Sequence, residues 1–246
     1  MPAKTMIEER AQGREGERGN VLFLILIAVA LFAALSYAVT QSTRSGAGTS
    51  DNETSLINSA QLTQYPAGLR TAVVRMIIGG TDVNNLEFNG PSQFSSLTSP
   101  AWGVFSPSGG GATYAQAPAD IMSAGTPGTW VFNGENQIHL VGSSTGTATP
   151  DATSVEVIAF LPGISLSVCQ KINSELGLPD GTPNPIPTES GIDYATQMTD
   201  ASQGLCNGGC GATIGLDAGS VDLEGQPFGC FQDGALYVYY HVLVER

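Results

Sequence analysis

The longest apolar run in the chain lies near its beginning and covers residues 21–39. These nineteen positions carry no charged side chain, and a leader rich in charged residues precedes them. As a helix with a rise of about 1.5 Å per residue, the run would be roughly 28 Å long, close to the thickness of a bilayer's hydrocarbon core. The pattern therefore predicts a transmembrane helix that is followed by an exported body.

The distribution of basic residues around this run predicts its orientation. Lys4, Arg10, Arg14 and Arg18 precede the run, whereas only Arg44 lies close behind it. Basic residues near the end of a membrane span stay in the cytoplasm. We therefore expect a single-pass inner-membrane protein with a cytoplasmic N-terminus and a periplasmic body.

A cleavable signal peptide is the alternative interpretation of the same run. Residues 36–38 offer the small side chains that precede a signal-peptidase cut. The apolar core of a signal peptide is usually about 7–15 residues long, however, and this run is longer. A buried core helix is disfavoured as well, because no polar stripe interrupts any face of the run. The better prediction is a membrane anchor.

The polar segment behind the run predicts an interruption of the helix. Gly46 and Gly48 each cost about 1 kcal/mol of helix stability relative to alanine. The helix is expected to melt near residues 43–50 and to resume at Ser50. A second irregularity, a kink or a break, is expected at Pro66, because proline lacks the amide donor that a helix interior needs.

Apolar residues at helical spacing then indicate an amphipathic stalk helix. Leu69, Val73 and Met76 share one face, and two glycines at 79–80 end the pattern. This face is expected to lie on the body, with a solvent-exposed linker as the alternative. The chain is thus divided into a charged cytoplasmic leader (1–19), a transmembrane or filament-core helix (20–42), a linker and stalk helix (43–80) and an exported globular domain (81–246).

The remaining sequence is typical of a β-rich domain. Glycine is abundant, with 31 residues, and only 13% of residues are charged, which favours many turns over a helical bundle. The predicted fold class is α+β, with the N-terminal helix packed on an antiparallel sheet. Strands are predicted at residues 102–105, 129–132, 137–141, 154–161 and 235–244, and one short helix at residues 165–176. The last strand should be central, because apolar residues occupy both of its faces.

The four cysteines all lie in the second half of the chain: Cys169, Cys206, Cys210 and Cys230. An even number of cysteines in an exported body predicts two disulfides. Four cysteines allow three pairings, and the sequence does not choose among them. A zinc site is disfavoured, because the histidines fall in predicted strands and there is no second close cysteine pair.

Acidic residues dominate the chain and limit its possible partners. The net charge at pH 7 is −13. The basic residues after the leader are Arg44, Arg70, Arg75, Lys171 and Arg246. With so few cations, the protein lacks the main driving force for binding phosphates, and a nucleic-acid partner is excluded.

Other residues with chemical potential have simpler interpretations. Oxygen-bearing side chains within residues 82–87 suit calcium, but a solvated turn is the favoured interpretation. The same holds for a second acidic set, which comprises Asp217, Asp222, Glu224 and Asp233. Trp102 and Trp130 can stack on sugars, although packing in the core is favoured. No nucleophile, base and orienting group can be assembled into an active site. We expect no enzyme activity, no metal and no cofactor.

The order of these elements resembles that of type IV pilins and type II secretion pseudopilins. The resemblance lies in residues 18–24, which read RGNVLFL, and in the sequence of leader, apolar helix, amphipathic continuation and β-rich domain with late cysteines. In that family a prepilin peptidase cuts after the leader glycine, which implies a cut between Gly19 and Asn20. The apolar helices of many subunits then bundle into the core of a filament.

Two positions depart from the family pattern. The fifth mature position is usually glutamate and is Leu24 here, and the first is usually Phe or Met and is Asn20 here. The resemblance therefore implies a structural subunit of a type IV pilus or a secretion pseudopilus, and the two departures point to a minor or tip subunit. Its partners would be other pilin-like subunits, a prepilin peptidase and the inner membrane. A signal-anchored periplasmic binding or adhesion domain that does not polymerise is the alternative.

Overall fold

A computed structural model describes residues 18–142, 149–181, 183–199, 204–206 and 209–246. Within these residues there are two α-helices, α1 (Arg18–Ile78) and α2 (Leu166–Leu176). The same residues include six strands, β1 (Val131–Asn133), β2 (Gln137–Ile138), β3 (Val157–Pro162), β4 (Thr213–Ile214), β5 (Phe228–Asp233) and β6 (Leu236–Val244). By its internal contacts the chain divides into two units, one that ends at Asn52 and one that spans Glu53–Arg246.

The strands form one antiparallel sheet and one small parallel pair. The antiparallel sheet has the strand order β1-β3-β6-β5, and β2 pairs with β4 in parallel. Strand β6 therefore has a neighbour on each side, which confirms that the last strand is central. A helical N-terminus, a mainly antiparallel sheet and one short second helix confirm the predicted α+β class.

The predicted interruption of the first helix is wrong. Helix α1 runs without a break through Gly46 and Gly48. Two interior glycines cost about 2 kcal/mol in total. If the helix ended there, a new first turn would have to form before it could resume. Forming that turn costs about 4 kcal/mol for a helix nucleation constant near 10⁻³. Continuing the helix is the cheaper solution.

The helix also continues through Pro66, so a break at that residue is wrong. An interior proline costs about 3 kcal/mol. Leu62 and Leu69, on either side of the proline, are both buried in the core of the second unit. Burying one leucine contributes about 1.5–3 kcal/mol, so these two contacts offset the cost of the proline.

Both faces of the antiparallel sheet are covered. On one face, Ala159, Leu161, Tyr239 and Leu243 share a core cluster with Leu69, Val73 and Met76 of α1 and with Cys169 and Ile172 of α2. On the other face, Ile158, Phe160, Tyr240 and Val242 pack with Ile138, Ile192, Ile214 and Leu223. Successive strand residues alternate between the two clusters, as the two-residue period of a strand requires. The predicted contact between the stalk helix and the body is confirmed.

Helix α2 and the final hairpin follow their sequence signals. Ser165 is the N-cap of α2, and Gly177 ends the helix in the left-handed conformation with a φ of 72°. Strands β5 and β6 are joined by Gly234 and Ala235, and Gly234 has a φ of 56°. A positive φ at the first of two turn residues matches the twist of an antiparallel hairpin. The predicted short helix is confirmed.

The shorter predicted strands agree less well with the structure. Residues 102–105 were predicted as a strand and form only an isolated bridge between Gly103 and Glu87. The strand predicted at 137–141 ends at Ile138. Short apolar runs of this kind are buried without lying in a sheet, as Val104 and Phe105 are.

The outer edge of β5 is closed by a side chain. The Asn173 amide nitrogen donates to the Cys230 carbonyl at 2.9 Å, and the Cys230 amide donates to the Asn173 side-chain oxygen at 3.0 Å. Two residues further along the same edge, the Gln232 amide donates to the Pro187 carbonyl, and the Glu189 amide donates to the Gln232 carbonyl. These contacts satisfy backbone groups that would otherwise offer an open edge to another chain.

Replacing Asn173 by alanine is expected to destabilise the body by about 3 kcal/mol. The substitution leaves the buried amide and carbonyl of Cys230 without partners, at about 1–3 kcal/mol for each group. Chemical denaturation of the purified protein measures this loss. Ser174→Ala on the exposed side of the same helix is the matched control and should stay within about 0.5 kcal/mol of the unsubstituted protein. An equal effect of both substitutions would contradict the role given to Asn173.

Candidate functional site: an exposed apolar segment of helix α1

The candidate site is the apolar segment of α1, Val21–Ala38. This stretch of 18 residues is long and apolar enough to cross a membrane, and none of it is buried. The exposed fraction of its large side chains runs from 39% at Ile27 to 76% at Phe32. Soluble monomers rarely expose an apolar patch of more than a few hundred Å². If it stays on the mature protein, the apolar segment therefore needs a cover, which is lipid or protein.

The cover must reach every side of the helix. Residues 21–27 are all exposed, and seven consecutive residues point in all directions around an α-helix. A soluble partner with one groove would leave the opposite face in water. A helix satisfies its own backbone hydrogen bonds, so a lipid bilayer or a dry bundle of similar helices can surround it at no hydrogen-bonding cost.

The predicted peptidase site lies at the start of this helix. Gly19 and Asn20 are the second and third residues of α1, which begins at Arg18. Leu24, at the position where the resembling family carries glutamate, is one of the exposed apolar side chains. The leader up to residue 17, with three of the four basic residues that predict the orientation, lies outside the described residues. Cleavage between Gly19 and Asn20 stays a prediction.

The four cysteines form the two predicted disulfides. The pairs are Cys169–Cys230 and Cys206–Cys210, separated by 61 and 4 residues along the chain. Cys169 lies on α2 and Cys230 on β5, one helical turn from the Asn173 contact to the same strand. Helix α2 is thereby fixed to the edge of the sheet by one covalent bond and one pair of hydrogen bonds.

The predicted oxygen-rich segments are not assembled into a metal site. Asp82 accepts hydrogen bonds from the backbone and the side chain of Asn84, both at 2.9 Å, and caps a short 3₁₀ turn. Glu87 is buried and accepts from the Thr98 amide at 3.0 Å. Within the described ranges, no three His, Cys, Asp or Glu side chains are grouped so that they could hold a metal.

The second acidic set is similarly dispersed. The Asp233 carboxylate accepts a hydrogen bond from the Tyr194 hydroxyl at 2.9 Å. The Glu224 carboxylate lies 3.6 Å from His139 Nδ1, and both side chains are partly exposed. The first pair connects a loop to the end of β5, and the second connects two turns. Among the described residues, neither pair forms a possible metal site with Asp217 or Asp222.

The tryptophans and C-terminal tyrosines serve mainly as core. Trp130 is buried between Tyr65 and Tyr239, with ring centroids 5.3 and 6.1 Å away. Tyr239 and Tyr240 are both fully buried. Trp102 is half-buried. The favoured interpretation of Trp130 as a core residue is therefore confirmed.

Two buried titratable residues were not singled out by the sequence patterns. Burial raises the pKa of Glu156 to about 8, although its carboxylate accepts a hydrogen bond from the Ile138 amide at 2.8 Å. Burial and the nearby charge of Arg70 lower the pKa of His241 to about 4. The only signal in the sequence is a polar residue inside an apolar strand, at Val155-Glu156-Val157 and Tyr240-His241-Val242.

The raised pKa of Glu156 predicts a decrease of stability with rising pH. The unfolded carboxyl ionises near pH 4.5 and the folded one near pH 8, so between these values the folded state holds more protons. The free energy of unfolding should then fall by up to about 1.4 kcal/mol per pH unit in that range. Glu156→Gln should remove the share of this slope that comes from Glu156, whereas buried Glu189, whose pKa is also raised by burial, keeps its own share in both proteins. Thermal unfolding from pH 4 to 9 measures it.

The comparison of the two proteins isolates Glu156. His241 titrates with the opposite sign between pH 4 and 6.5, because its folded pKa is lowered, and this contribution is common to both proteins. A difference in stability that grows from pH 4.5 to 8 is the expected result. A difference that is constant over this range would contradict the assignment.

Comparisons with known proteins do not assign the chain to a family. No family model matches it, and no curated protein or solved structure is significantly similar to it. The residues and the geometry of this chain are therefore what indicate its function.

Proposed function

We propose that this protein is a structural, pilin-like subunit that assembles through the apolar segment of α1. The observation that carries the proposal is the apolar segment of α1, which is exposed on all sides. It precedes a folded body, the second unit, which contains two disulfides. In the membrane, lipid would surround the segment. In a filament, the same segments of neighbouring subunits would surround one another, with the bodies outside.

The disulfides support export of the body. Disulfides form and persist in the periplasm and outside the cell, and they are rare in the cytoplasm. Under the proposal the leader stays in the cytoplasm, the apolar segment spans the inner membrane, and the body folds in the periplasm. The partners would be other pilin-like subunits and a prepilin peptidase, and the protein would catalyse no reaction.

Leu24 implies that copies of this subunit assemble through apolar contacts without the charge pair of the resembling family. In the resembling family, a glutamate at this position is expected to pair with the N-terminal amine of a neighbouring subunit. Leucine carries no charge and cannot form such a pair. A minor or tip subunit, which has no neighbour on one side, would not need the pair either. The cross-linking tests separate that alternative, because a tip subunit forms no ladder with its own copies.

The mature N-terminus tests the proposal. Co-expression with a prepilin peptidase should shorten the protein by the leader, so that intact mass and N-terminal sequencing begin at Asn20. Gly19→Leu, which adds a side chain at the cut, should block the shortening. A retained leader would favour a plain membrane anchor, and a cut after Ala38 would indicate a secreted protein that has lost the apolar segment. Either result would contradict the proposal.

A further inference from the structure

The outward face of α1 in the second unit is unusual for a helix on a protein surface. Its members are Ile57, Ala60, Gln61, Gln64, Ala67, Gly68, Thr71, Val74, Arg75 and Ile78, which we call the outer face. Ile57 is 57% exposed, Val74 is 39% exposed and Ile78 is 82% exposed. Surface helices normally carry charged side chains on the face opposite the core. The outer face carries a single charge, at Arg75.

The spacing of the outer face matches that of a helix that packs on another helix. Positions 57, 64, 71 and 78 are seven residues apart, and positions 60, 67 and 74 lie between them. This is the a/d repeat of a coiled coil, with isoleucine at both ends. Small residues at 60, 67 and 68 leave room for the backbone of a second helix to approach closely.

The charge distribution selects the partner. The chain has 22 acidic residues, yet residues 54–78 contain none. Two copies of such an acidic protein repel each other over most of their surfaces. Within the second unit, the outer face is a helical surface without acidic side chains, so two copies repel each other little when they meet there. A basic partner would instead be attracted to the acidic surfaces elsewhere.

A groove beside the outer face provides further room for a second helix. It has a volume of about 400 Å³ and lies between α1 and the loop at residues 110–113. Gln64, Gly68 and Thr71 line its helical side. The Arg75 guanidinium donates a hydrogen bond to the Gly110 carbonyl across the groove, so the single charge of the outer face is held by its own body.

We infer that the outer face of α1 is a contact between two copies of this chain, with the two helices parallel and in register. The parallel direction rests on the proposed function, because copies that are anchored in one membrane by the same segment point the same way. In this register each Ile57 and each Ile78 meets the same residue of the second copy. Gln64 at an a position would fix the register by pairing with its counterpart.

Cysteine cross-linking in membranes of the full chain tests the inference. All four native cysteines are in disulfides, so an introduced cysteine is the only free thiol. Ala67→Cys lies at a d position, and Ser174→Cys on the exposed side of α2 is the matched control. Oxidation should convert Ala67→Cys into a disulfide-linked dimer at least tenfold more than Ser174→Cys.

A charge on the outer face supplies the second readout. Ala67→Glu should reduce cross-linking through Ala60→Cys at least tenfold, because it places two like charges at the contact. Ser174→Glu adds the same charge elsewhere and should leave the cross-linking unchanged. Glutamate is a good helix former, so the substitution at an exposed position should not unfold α1. No effect of Ala67→Glu would overturn the inference.

The outcome can be separated from that of the proposed function. A chain with Leu24→Cys and Phe32→Cys reports contacts between apolar segments. If this chain forms a ladder of cross-linked species while Ala67→Cys stays monomeric, the outer-face contact is wrong and the proposed function stands. If the ladder is absent, the proposed function itself fails. Equal cross-linking of Ala67→Cys and Ser174→Cys would indicate random collision and would also overturn the inference.

Discussion

Two arginines in the apolar segment, Leu26→Arg with Ala30→Arg, are expected to move most of the protein out of the membrane fraction. Both positions are exposed and lie near the middle of Val21–Ala38. Placing one arginine at the centre of a span costs about 2.5–3.5 kcal/mol on insertion scales, so two arginines cost about 5–7 kcal/mol. That loss exceeds what the remaining apolar residues of a single short span can easily offset.

The state of the cysteines gives this experiment a second readout. If the arginines stop insertion, the body stays in the cytoplasm, where thiols are kept reduced. Alkylation of unreduced protein should then label all four cysteines, whereas the exported protein should label none. The matched control exchanges the two residues, Leu26→Ala with Ala30→Leu, and keeps the composition of the segment. Membrane retention of the arginine variant with intact disulfides would contradict the role of the segment.

Loss of the Cys169–Cys230 disulfide is expected to destabilise the body about twice as much as loss of Cys206–Cys210. The first bond closes a loop of 61 residues and the second a loop of 4. In the chain-entropy description these loops correspond to about 4 and about 2 kcal/mol. Chemical denaturation of the two double-alanine variants measures the difference, and each variant serves as the control for the other.

The larger effect also has a structural reason. Cys169 and Cys230 are fully buried in the main core cluster, where the bond fixes α2 against β5. Cys206 and Cys210 are only partly buried and connect two points of one loop. Equal destabilisation by the two pairs of substitutions, or a larger effect of the second pair, would contradict this assignment.

Short sequence patterns predicted the elements that are specified by neighbouring residues, namely the apolar segment, α2 and β6. The apolar segment is recognisable because nineteen positions lack charge, and α2 because Ser165 and Gly177 delimit a helical repeat. The central place of β6 follows from apolar residues on both of its faces. In each case the physical reason for the structure lies within about a dozen neighbouring residues.

Features that depend on distant contacts were not predictable. The pairing of Cys169 with Cys230 and the closure of the β5 edge by Asn173 join residues 57 to 61 positions apart. The environment of Glu156 depends on the amide of Ile138, which belongs to another strand. No short pattern encodes such contacts, because tertiary packing alone brings the groups together.

The first helix shows where local propensity misleads. Gly46, Gly48 and Pro66 are all unfavourable in a helix, and α1 contains all three. Propensity counts the cost at each residue but omits the cost of a second nucleus and the gain from burying Leu62 and Leu69. The outer face of α1 was missed for a related reason, since its significance depends on which helical residues the body leaves exposed.

The most direct test of the proposed function asks whether the apolar segments of different copies touch. Leu24→Cys and Phe32→Cys lie about 12 Å apart along the helix and about 80° apart around it, so in a packed bundle the two can face different neighbours. Oxidation of membranes or of a sheared surface fraction should give a ladder of dimers, trimers and larger species, whereas Leu24→Cys alone should stop at dimers. Monomers only, under conditions in which both thiols react with maleimide, would contradict assembly through this segment.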